Sequence, residues 1–336
     1  MNGLSNYLRV SRNILASLEE EEFWTRYPTL ARIQRSTDAS SSPDVGAIFR
    51  AIRDDLPAAA DFIDRFLILA ARLDLQQAEI RQDYSYLDET LPQGQAVRTA
   101  ISEGMNLPFR KANYLCHLSN RHKYLYVATP KVACTVIKHS LQQAEMDGTL
   151  VFRQYGDEHF PTLSPLLAPL DDPKLYFAAL KTDDWFRFTF VRNPFSRVLS
   201  CYLDKIVNSV LERNRLLPEI GIDPAAGIPS FSDFLKGIAG QTEDQCDIHW
   251  APQSWLTQPQ TMHYHFIGRL ERFDTDFQQV CQVLGIAPET GAARHSTDAA
   301  QKLAAFYGGE EIELVRMIYA RDFTDFGYDS QHLTTQ

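Results

Sequence analysis

The fold of this chain is decided by residues 123–144, which run KYLYVATPKVACTVIKHSLQQA. Residues 124–128 are aromatic and β-branched, and this composition predicts a short buried strand that ends before Pro130. Apolar residues then recur at helical spacing from Val136 onward, and Thr135 stands near the predicted start of that helix. The stretch therefore predicts a strand, a tight loop and a helix in direct succession.

A loop between a strand and the N-terminus of a helix is well suited to bind an anion. Free backbone N–H groups point out of the first helical turn, and the helix dipole favours negative charge there. Lys131 adds a full positive charge to this loop, and Thr135 adds a hydroxyl donor. We therefore expect the loop to hold a phosphate-like group.

A second stretch, residues 185–211, repeats this arrangement and runs WFRFTFVRNPFSRVLSCYLDKIVNSVL. Its aromatic start predicts a core strand, Arg192 follows the end of that strand, and Pro194 suits the first turn of a helix. A guanidinium fork from Arg192 and the hydroxyl of Ser200 can converge on a second phosphate. The alternative is that Arg192 pairs with a carboxylate at the edge of the core, and that Ser200 is an ordinary helix serine.

Composition limits the classes of protein to consider. The chain has 336 residues, of which 44% are hydrophobic and 23% are charged, and this is typical of a globular protein. The net charge of −10 argues against broad binding to nucleic acid or anionic membranes but allows a local basic pocket. The scattered cysteines include no CxxC pair, which favours a reducing compartment over a disulfide framework or zinc site. With no evident signal peptide or membrane span, the sequence predicts a cytoplasmic protein.

The beginning of the chain predicts helices without recognisable chemistry. Residues 1–111 are interpreted as an N-terminal helical region, in which residues 93–110 form a connector, and residues 112–336 as the domain that carries the two anion loops. The helical region is expected to cap the domain or to mediate oligomerisation. The alternative is that it helps to recognise a substrate that accepts a transferred group.

Three polar residues that follow the first predicted helix are candidates for a general base. Asp157, Glu158 and His159 lie in a segment rich in proline, which predicts a loop. Loops beside an anion-binding unit often carry acceptor-binding groups and bases, and any of these side chains could take a proton from an attacking hydroxyl. The alternative is that all three are solvated loop residues.

The two anion stretches together resemble the sulfotransferases. PKVACTVIK, residues 130–138, resembles the loop of that family for the 5′-phosphosulfate of 3′-phosphoadenosine 5′-phosphosulfate (PAPS). FTFVRNPFSRVLSCYLDK, residues 188–205, resembles its 3′-phosphate site, including the eight-residue spacing between Arg192 and Ser200. Two such motifs in the same order are more specific than either motif alone.

Weaker similarity in other segments extends the resemblance over about residues 112–330. It runs through HWAPQSWL at residues 249–256, through residues 264–286 and through YARDFTDFGY at residues 319–328. The chain is most similar to the carbohydrate, or Golgi-type, branch of the PAPS-dependent sulfotransferases and its bacterial relatives.

This resemblance implies a fold, a co-substrate and a set of contacts. The fold is an α/β, P-loop-like three-layer fold, with a central parallel sheet flanked by helices and an N-terminal helical extension. The co-substrate is PAPS, without a metal. The implied 5′-side contacts are Pro130, Lys131, Val132, Ala133, Cys134, Thr135 and Val136. The implied 3′-side contacts are Arg192, Arg197 and Ser200. Residues 294–302 correspond to a loop that the family closes over the cofactor, and Arg294, His295 and Thr297 are its implied contacts.

The implied reaction moves a sulfuryl group from PAPS to an acceptor hydroxyl by in-line displacement. The acceptor is expected to be a saccharide or another small hydroxyl compound. Lys131 would contact the bridging and sulfuryl oxygens. His159 is our first choice of base, with Glu158, Asp157 and His249 as rivals that the resemblance does not separate.

Two other functions stay open at this point. A nucleotide-dependent kinase of related fold would carry the G-x-x-x-x-G-K-[ST] loop or a magnesium-binding carboxylate, and neither is evident beside the anion stretches. A non-catalytic nucleotide-binding module is the other alternative. The joint presence of Lys131, Thr135, Arg192 and Ser200 counts against it.

Overall fold

A computed structural model describes residues 86, 89–145, 159, 164, 166–287 and 299–333. Several predictions from the sequence fall elsewhere in the chain. Outside the described residues lie the helices predicted before residue 86 and the site candidates Asp157, Glu158, Arg294, His295 and Thr297.

The centre of the fold is a four-stranded sheet in the order β1-β2-β3-β4. The strands are β1 (Cys116–Ser119), β2 (Tyr124–Val127), β3 (Phe186–Val191) and β4 (Phe266–Arg269). β2, β3 and β4 are parallel, which confirms the predicted α/β class, whereas β1 pairs antiparallel with β2. The short connection between β1 and β2 allows only this direction, because parallel neighbours need a long crossover.

Helices cover both faces of the sheet. In chain order they are α1 (Pro92–Met105), α2 (Phe109–Leu115), α3 (Cys134–Glu145), α4 (Pro173–Lys181), α5 (Pro194–Cys201), α6 (Val210–Leu216), α7 (Phe231–Ala239), α8 (Gln253–Thr257), α9 (Phe273–Leu284), α10 (Ala299–Phe306), α11 (Gly309–Ile318) and α12 (Ala320–Phe326). A π-helical turn, Tyr202–Val207, continues α5.

Alternation along the strands separates two cores. Tyr124, Tyr126, Phe188 and Phe190 face one side of the sheet, where they pack with apolar residues of α3 and α9. Leu125, between the two tyrosines in sequence, faces the opposite side and joins a larger core that includes residues of α1, α4 and α5. The result is the predicted three-layer arrangement of helix, sheet and helix.

β3 and β4 approach each other closely at one point. The ring of Phe190 lies over Gly268, and a Cβ atom on Gly268 would stand 2.3 Å from the Cε1 atom of Phe190. This separation is shorter than any carbon–carbon contact, so the glycine is required by the ring above it.

The prediction of a connector at residues 93–110 is wrong, because these residues form most of α1 and the start of α2. Ile101 and Met105 are buried in the larger core, and burial of this apolar face stabilises α1. Asn106, with φ of 52°, ends the helix in the left-handed conformation that asparagine tolerates. The boundary between residues 111 and 112 stays a prediction.

Candidate active site

The first anion loop joins the end of β2 to the start of α3. Lys131 and Ala133 adopt positive φ angles of 69° and 50°. Runs of backbone N–H groups in loops that enter the left-handed region form concave anion-binding sites. A left-handed conformation costs a residue other than glycine roughly 1–2 kcal/mol, so the packing around this loop must stabilise it. No glycine in residues 130–135 indicates this shape in advance.

Part of that stabilisation comes from Arg197, which is buried beneath the loop. Its Nε donates to the carbonyl oxygen of Pro130 at 3.1 Å, and its Nη1 and Nη2 donate to those of Ala251 and Ile248 at 2.8 and 3.3 Å. Because three backbone carbonyls occupy the guanidinium, Arg197 supports the loop from the core. This arrangement differs from the phosphate contact that the sequence predicted for it.

The remaining residues of this predicted set divide into two kinds. The side chains of Val132 and Val136 are buried in the core, so only their backbone groups are available to an anion. Cys134, a half-buried free cysteine, is the first residue of α3. Thr135 follows it, and its Oγ1 lies 2.9 Å from the Nε2 atom of His159. The structure thus brings together two predicted site residues that are 24 positions apart.

The Nζ atom of Lys131 forms an ion pair with the Oδ2 atom of Asp204 at 2.9 Å. Lys205 reaches the same Oδ2 atom with its Nζ at 3.2 Å. Burial by itself raises the pKa of Asp204, but the two lysines outweigh burial, and the net shift is downward. Neither Asp204 nor Lys205 was predicted as a site residue, although both stand at the end of the second anion motif, residues 188–205.

The second anion loop follows β3, and it contacts the first. Arg192 donates from Nη1 to the carbonyl oxygen of Lys131 at 3.2 Å and from Nε to the Oγ atom of Ser196 at 2.9 Å. Burial lowers the pKa of Arg192 to about 10, so the guanidinium stays protonated at neutral pH. Ser200 is buried one turn after Ser196 on α5. The neighbouring carboxyl ends of β2 and β3 therefore carry both predicted anion-binding groups.

A buried polar network holds the backbone of Arg192. Its N–H donates to the Oε1 atom of Gln253 at 2.8 Å, and its carbonyl oxygen accepts from Nε2 of the same side chain at 2.8 Å. Gln253 is held in turn by Asp322, which accepts from the backbone N–H groups of Gln253 and Ser254 at 2.8 and 2.7 Å. Asp322 thus caps α8 from another helix. Neither Gln253 nor Asp322 was predicted from the sequence.

The residue after Arg192 is fixed in the same way. The N–H of Asn193 donates to the Oε1 atom of Glu271 at 2.7 Å, and Tyr328 donates from its hydroxyl to Oε2 of the same carboxylate at 3.0 Å. The carboxylate of Glu271 also acts to raise the pKa of Arg192, which opposes the effect of burial. This second loop is therefore held by side chains from distant parts of the chain.

The two histidines predicted as bases lie in different surroundings. Burial, followed by nearby positive charges, lowers the pKa of His159 to about 3. His249 directs its Nδ1 at the Oδ1 atom of Asp247, 2.6 Å away. Burial lowers the pKa of His249, and the Asp247 carboxylate opposes this effect. The charges of Lys131 and Lys205 act on both histidines, which places the four groups in one electrostatic neighbourhood.

Asp247 was missed by the sequence analysis. Burial raises the pKa of this carboxyl, but the hydrogen bonds and charge of His249 outweigh burial and hold the pKa at about 2. Among the described residues, no group of three or more His, Cys, Asp or Glu side chains could hold a metal ion.

Comparison with known proteins places this site in a family. A sequence model described as the Sulfotransferase family matches residues 116–329, which include both anion loops. The chain belongs to the sulfotransferase family. This sulfotransferase is 29% identical over 184 residues to carbohydrate sulfotransferase 14 of Mus musculus, and the match covers 51% of this chain and 46% of the relative. No solved structure matches it significantly.

Other relatives carry similar names. Carbohydrate sulfotransferase 11 of Danio rerio is 22% identical over 233 residues, a match that covers 62% of this chain and 65% of the relative. Carbohydrate sulfotransferase 12 of Xenopus laevis is 26% identical over 212 residues, with 51% and 48% covered. This sulfotransferase spans about half the length of carbohydrate sulfotransferase 14 of Mus musculus and of Homo sapiens.

The expected cytoplasmic location is wrong. The matched relatives are carbohydrate sulfotransferases, a group of Golgi membrane enzymes, so kinship does not point to the cytoplasm. Scattered cysteines and the lack of an evident signal peptide were insufficient grounds for that expectation. Within the part of the chain that the structure describes, no helix combines the length and hydrophobicity needed to cross a membrane.

Proposed function

We propose that this sulfotransferase moves the sulfuryl group of PAPS to a hydroxyl group of a carbohydrate acceptor. The observation that carries the proposal is the contact between the two anion loops, in which Arg192 Nη1 donates to the carbonyl oxygen of Lys131 at 3.2 Å. Two linked anion sites at neighbouring strand ends suit a nucleotide with phosphate groups at both its 3′ and 5′ positions. The names of the relatives support a carbohydrate acceptor.

The first loop is assigned to the reacting end of the donor. The N–H groups at the start of α3 and the hydroxyl of Thr135 would hold the 5′-phosphate, and Lys131 would neutralise charge on the oxygen between phosphorus and sulfur. Charge accumulates on that oxygen as the sulfur–oxygen bond breaks, so a cation there stabilises the transition state more than the ground state. Preorganised N–H donors and one lysine can supply this stabilisation.

The second loop is assigned to the 3′-phosphate. Arg192 supplies a guanidinium that donates to Ser196, and Gln253 holds the backbone of the same residue. Ser200, one turn further along α5, would add its hydroxyl. Arg197 is assigned to positioning the first loop, because its donors are held by backbone carbonyls. Contacts from Arg294 and Thr297 remain predictions.

His249 is our choice of general base, in place of His159. A base must be neutral and must offer a free ring nitrogen to the acceptor hydroxyl. Because Asp247 accepts a hydrogen bond from Nδ1 of His249, Nε2 carries the lone pair. The corresponding Nε2 of His159 is engaged by Thr135, and its pKa of about 3 makes it a weak base. Glu158 remains an alternative.

The acceptor oxygen attacks sulfur while its proton passes to Nε2 of His249. The bond between sulfur and the bridging oxygen breaks in line with this attack, and adenosine 3′,5′-bisphosphate leaves with the electron pair of that bond. The products are a sulfate ester and the bisphosphate, and the proton on His249 returns to solvent.

The test is transfer of labelled sulfate from PAPS to a panel of oligosaccharides, together with calorimetric binding of adenosine 3′,5′-bisphosphate. We expect the unmodified protein to bind the bisphosphate, and Lys131→Met to lower turnover about 10²–10³-fold, as loss of one electrostatic stabiliser of a transition state does. The matched control is Lys236→Met, which removes an exposed lysine paired with Glu310.

Three results would count against the proposal. Failure of the unmodified protein to bind the bisphosphate would exclude a PAPS-dependent function. Full turnover by Lys131→Met would remove that residue from the chemistry. Consumption of ATP with magnesium, without sulfate transfer, would favour the kinase alternative.

A further inference from the structure

The ion pair between Lys131 and Asp204 presents a chemical conflict. Lys131 is assigned to the negatively charged phosphosulfate of the donor. The carboxylate of Asp204, however, lies 2.9 Å from the Nζ atom of that lysine. An anion that approaches Lys131 must either share it with Asp204 or take it away. A carboxylate next to an anionic ligand also repels it, most strongly where solvent is partly excluded.

Lys205 resolves this conflict. Its Nζ lies 3.2 Å from the same Oδ2 atom, so Asp204 is already neutralised by a second lysine. The three side chains are partly buried, with exposed fractions of 15% for Lys131, 28% for Asp204 and 22% for Lys205. If Lys205 were absent, departure of Lys131 would leave a partly buried carboxylate unpaired, which is costly. With Lys205 present, Lys131 can leave while Asp204 keeps a partner.

The local backbone explains how Asp204 reaches the loop. The helix that begins as α5 widens at residues 202–207, where the N–H of Asn208 donates to the carbonyl oxygen of Leu203, five positions back. Such π-helical turns are rare and are frequently found at functional sites. The same continuous helical segment carries Ser200, a residue assigned to the 3′-phosphate, and Asp204, which holds the lysine assigned to the 5′ side.

We propose that Asp204 is a positioning residue that holds Lys131 while the nucleotide site is empty and remains paired with Lys205 when Lys131 moves to the donor. This inference rests on the proposed function, because it assigns Lys131 to the phosphosulfate. The arrangement keeps the reactive lysine directed along the first loop before the donor arrives. It also sets nucleotide affinity below the value that an unopposed Lys131 would give.

Replacing Asp204 and replacing Lys205 are predicted to change nucleotide affinity in opposite directions. Asp204→Asn removes both the competitor for Lys131 and the repulsion of the ligand, so the affinity for adenosine 3′,5′-bisphosphate rises by about three- to tenfold, in line with the modest strength of partly exposed ion pairs. Turnover falls in the same variant because Lys131 is no longer positioned. Lys205→Met leaves Asp204 dependent on Lys131, so affinity falls by a similar factor.

A double variant distinguishes this mechanism from a simple change of net charge. Once Asp204 is neutral, Lys205 has no carboxylate to retain, so Lys205→Met weakens binding much less in the Asp204→Asn background than in the unmodified protein. Independent charge effects would instead add, as they do for residues that do not interact. Glu310→Gln, which breaks an exposed ion pair with Lys236, is the control and leaves affinity unchanged.

A second measurement needs no nucleotide. Amine acetylation followed by peptide mass spectrometry reports how accessible Lys131 is in the unliganded protein. We expect Asp204→Asn to speed labelling of Lys131 about three- to tenfold, since breaking a modest ion pair frees the amine by a comparable factor. Labelling of Lys236 serves as the internal reference.

The outcomes separate the two proposals. If the unmodified protein binds the bisphosphate but Asp204→Asn neither tightens binding nor speeds labelling, the role of Asp204 is wrong and the proposed function stands. Additive effects in the double variant would likewise overturn the role of Lys205. If the unmodified protein binds no bisphosphate, the proposed function fails, and unchanged labelling in Asp204→Asn would then exclude the hold on Lys131 as well.

Discussion

The two anion loops share one design, a parallel strand followed by a helix, but they are stabilised in opposite ways. The loop after β2 has two residues in the left-handed region, and its charged residue, Lys131, is held by an ion pair with a partly exposed carboxylate. The loop after β3 contains Arg192, whose backbone is held on both sides by Gln253, and whose side chain donates to Ser196. One cation can exchange its partner, whereas the other is fixed in place.

This difference suggests that one loop contributes mainly to nucleotide binding and the other mainly to the reaction. A fixed guanidinium loses little conformational freedom when a phosphate arrives, so it contributes efficiently to affinity. A lysine on a flexible stem, held by an exchangeable ion pair, can follow charge as it develops during the reaction. We therefore assign most of the nucleotide affinity to the second loop and most of the rate acceleration to the first.

The largest effect expected on nucleotide affinity comes from removing the fixed cation of the second loop. Arg192→Met removes charge-assisted hydrogen bonds to the 3′-phosphate and lowers the affinity for adenosine 3′,5′-bisphosphate by about 10²-fold, since each such bond contributes roughly 1.5–3 kcal/mol. Calorimetry measures this loss. Arg192→Lys restores only part of the affinity, because an ammonium group lacks the planar fork. If Lys131→Met lost more affinity than Arg192→Met, the division between the loops would be reversed.

A smaller effect is expected on the pH dependence of turnover, and it tests whether the proton transfer takes place beside the first loop. The proposed base His249 works in its neutral form, so turnover falls as pH drops below its pKa, which burial places under the usual value. Asp247 acts to raise that pKa, so Asp247→Asn moves the acid limb of the pH–rate profile to lower pH. Its plateau falls by about tenfold or more, because the tautomer of His249 is no longer fixed.

Affinity for the bisphosphate is the internal control for that variant. Neither histidine is assigned to the nucleotide phosphates, so Asp247→Asn leaves binding within about twofold, as expected of a group that acts only on the proton transfer. An acid limb that stayed in place would exclude Asp247 as the partner of the titrating group. The pH–rate profile and bisphosphate affinity of His159→Gln, measured in the same way, test His159 as the alternative base.

The smallest expected effect concerns the backbone of the first loop. Ala133→Gly relieves the left-handed conformation at φ of 50° but gives the unfolded chain more freedom, so the two effects nearly cancel. We expect the free energy of unfolding to change by less than about 1 kcal/mol. Denaturant titration measures the change. A loss of several kcal/mol would show that the methyl group of Ala133 has a packing role that its conformation does not reveal.

The sequence predicted the parts of the site that are local. β2, α3, β3 and α5 were located because each is a short run with its own periodicity, and Lys131, Thr135 and Arg192 lie at the junctions between these elements. Strand-to-helix junctions at neighbouring parallel strands meet at one edge of the sheet, so their convergence was also predictable.

Partners that are distant in sequence were not predictable in this way. Gln253 lies 61 positions from Arg192, and Asp322 a further 69 positions along, and neither has a pattern of its own. Asp204 reaches Lys131 through a π-helical turn, which leaves no periodic signal in a helix of ordinary composition. Arg197 resembled a phosphate ligand by type and spacing, but two of its three carbonyl partners, Ile248 and Ala251, come from a segment more than 50 residues further along the chain.

The contact between Phe190 and Gly268 has a consequence for how relatives of this sulfotransferase can diverge. The phenyl ring occupies the volume that any side chain on the neighbouring strand would need, with only 2.3 Å available for a Cβ atom. A side chain at position 268 and a phenyl ring at position 190 therefore cannot both be accommodated, and we expect the two residues to vary as a pair. Homologues with a larger residue at the position of Gly268 should carry a smaller one at the position of Phe190, and a larger residue at the first position together with phenylalanine at the second should be absent.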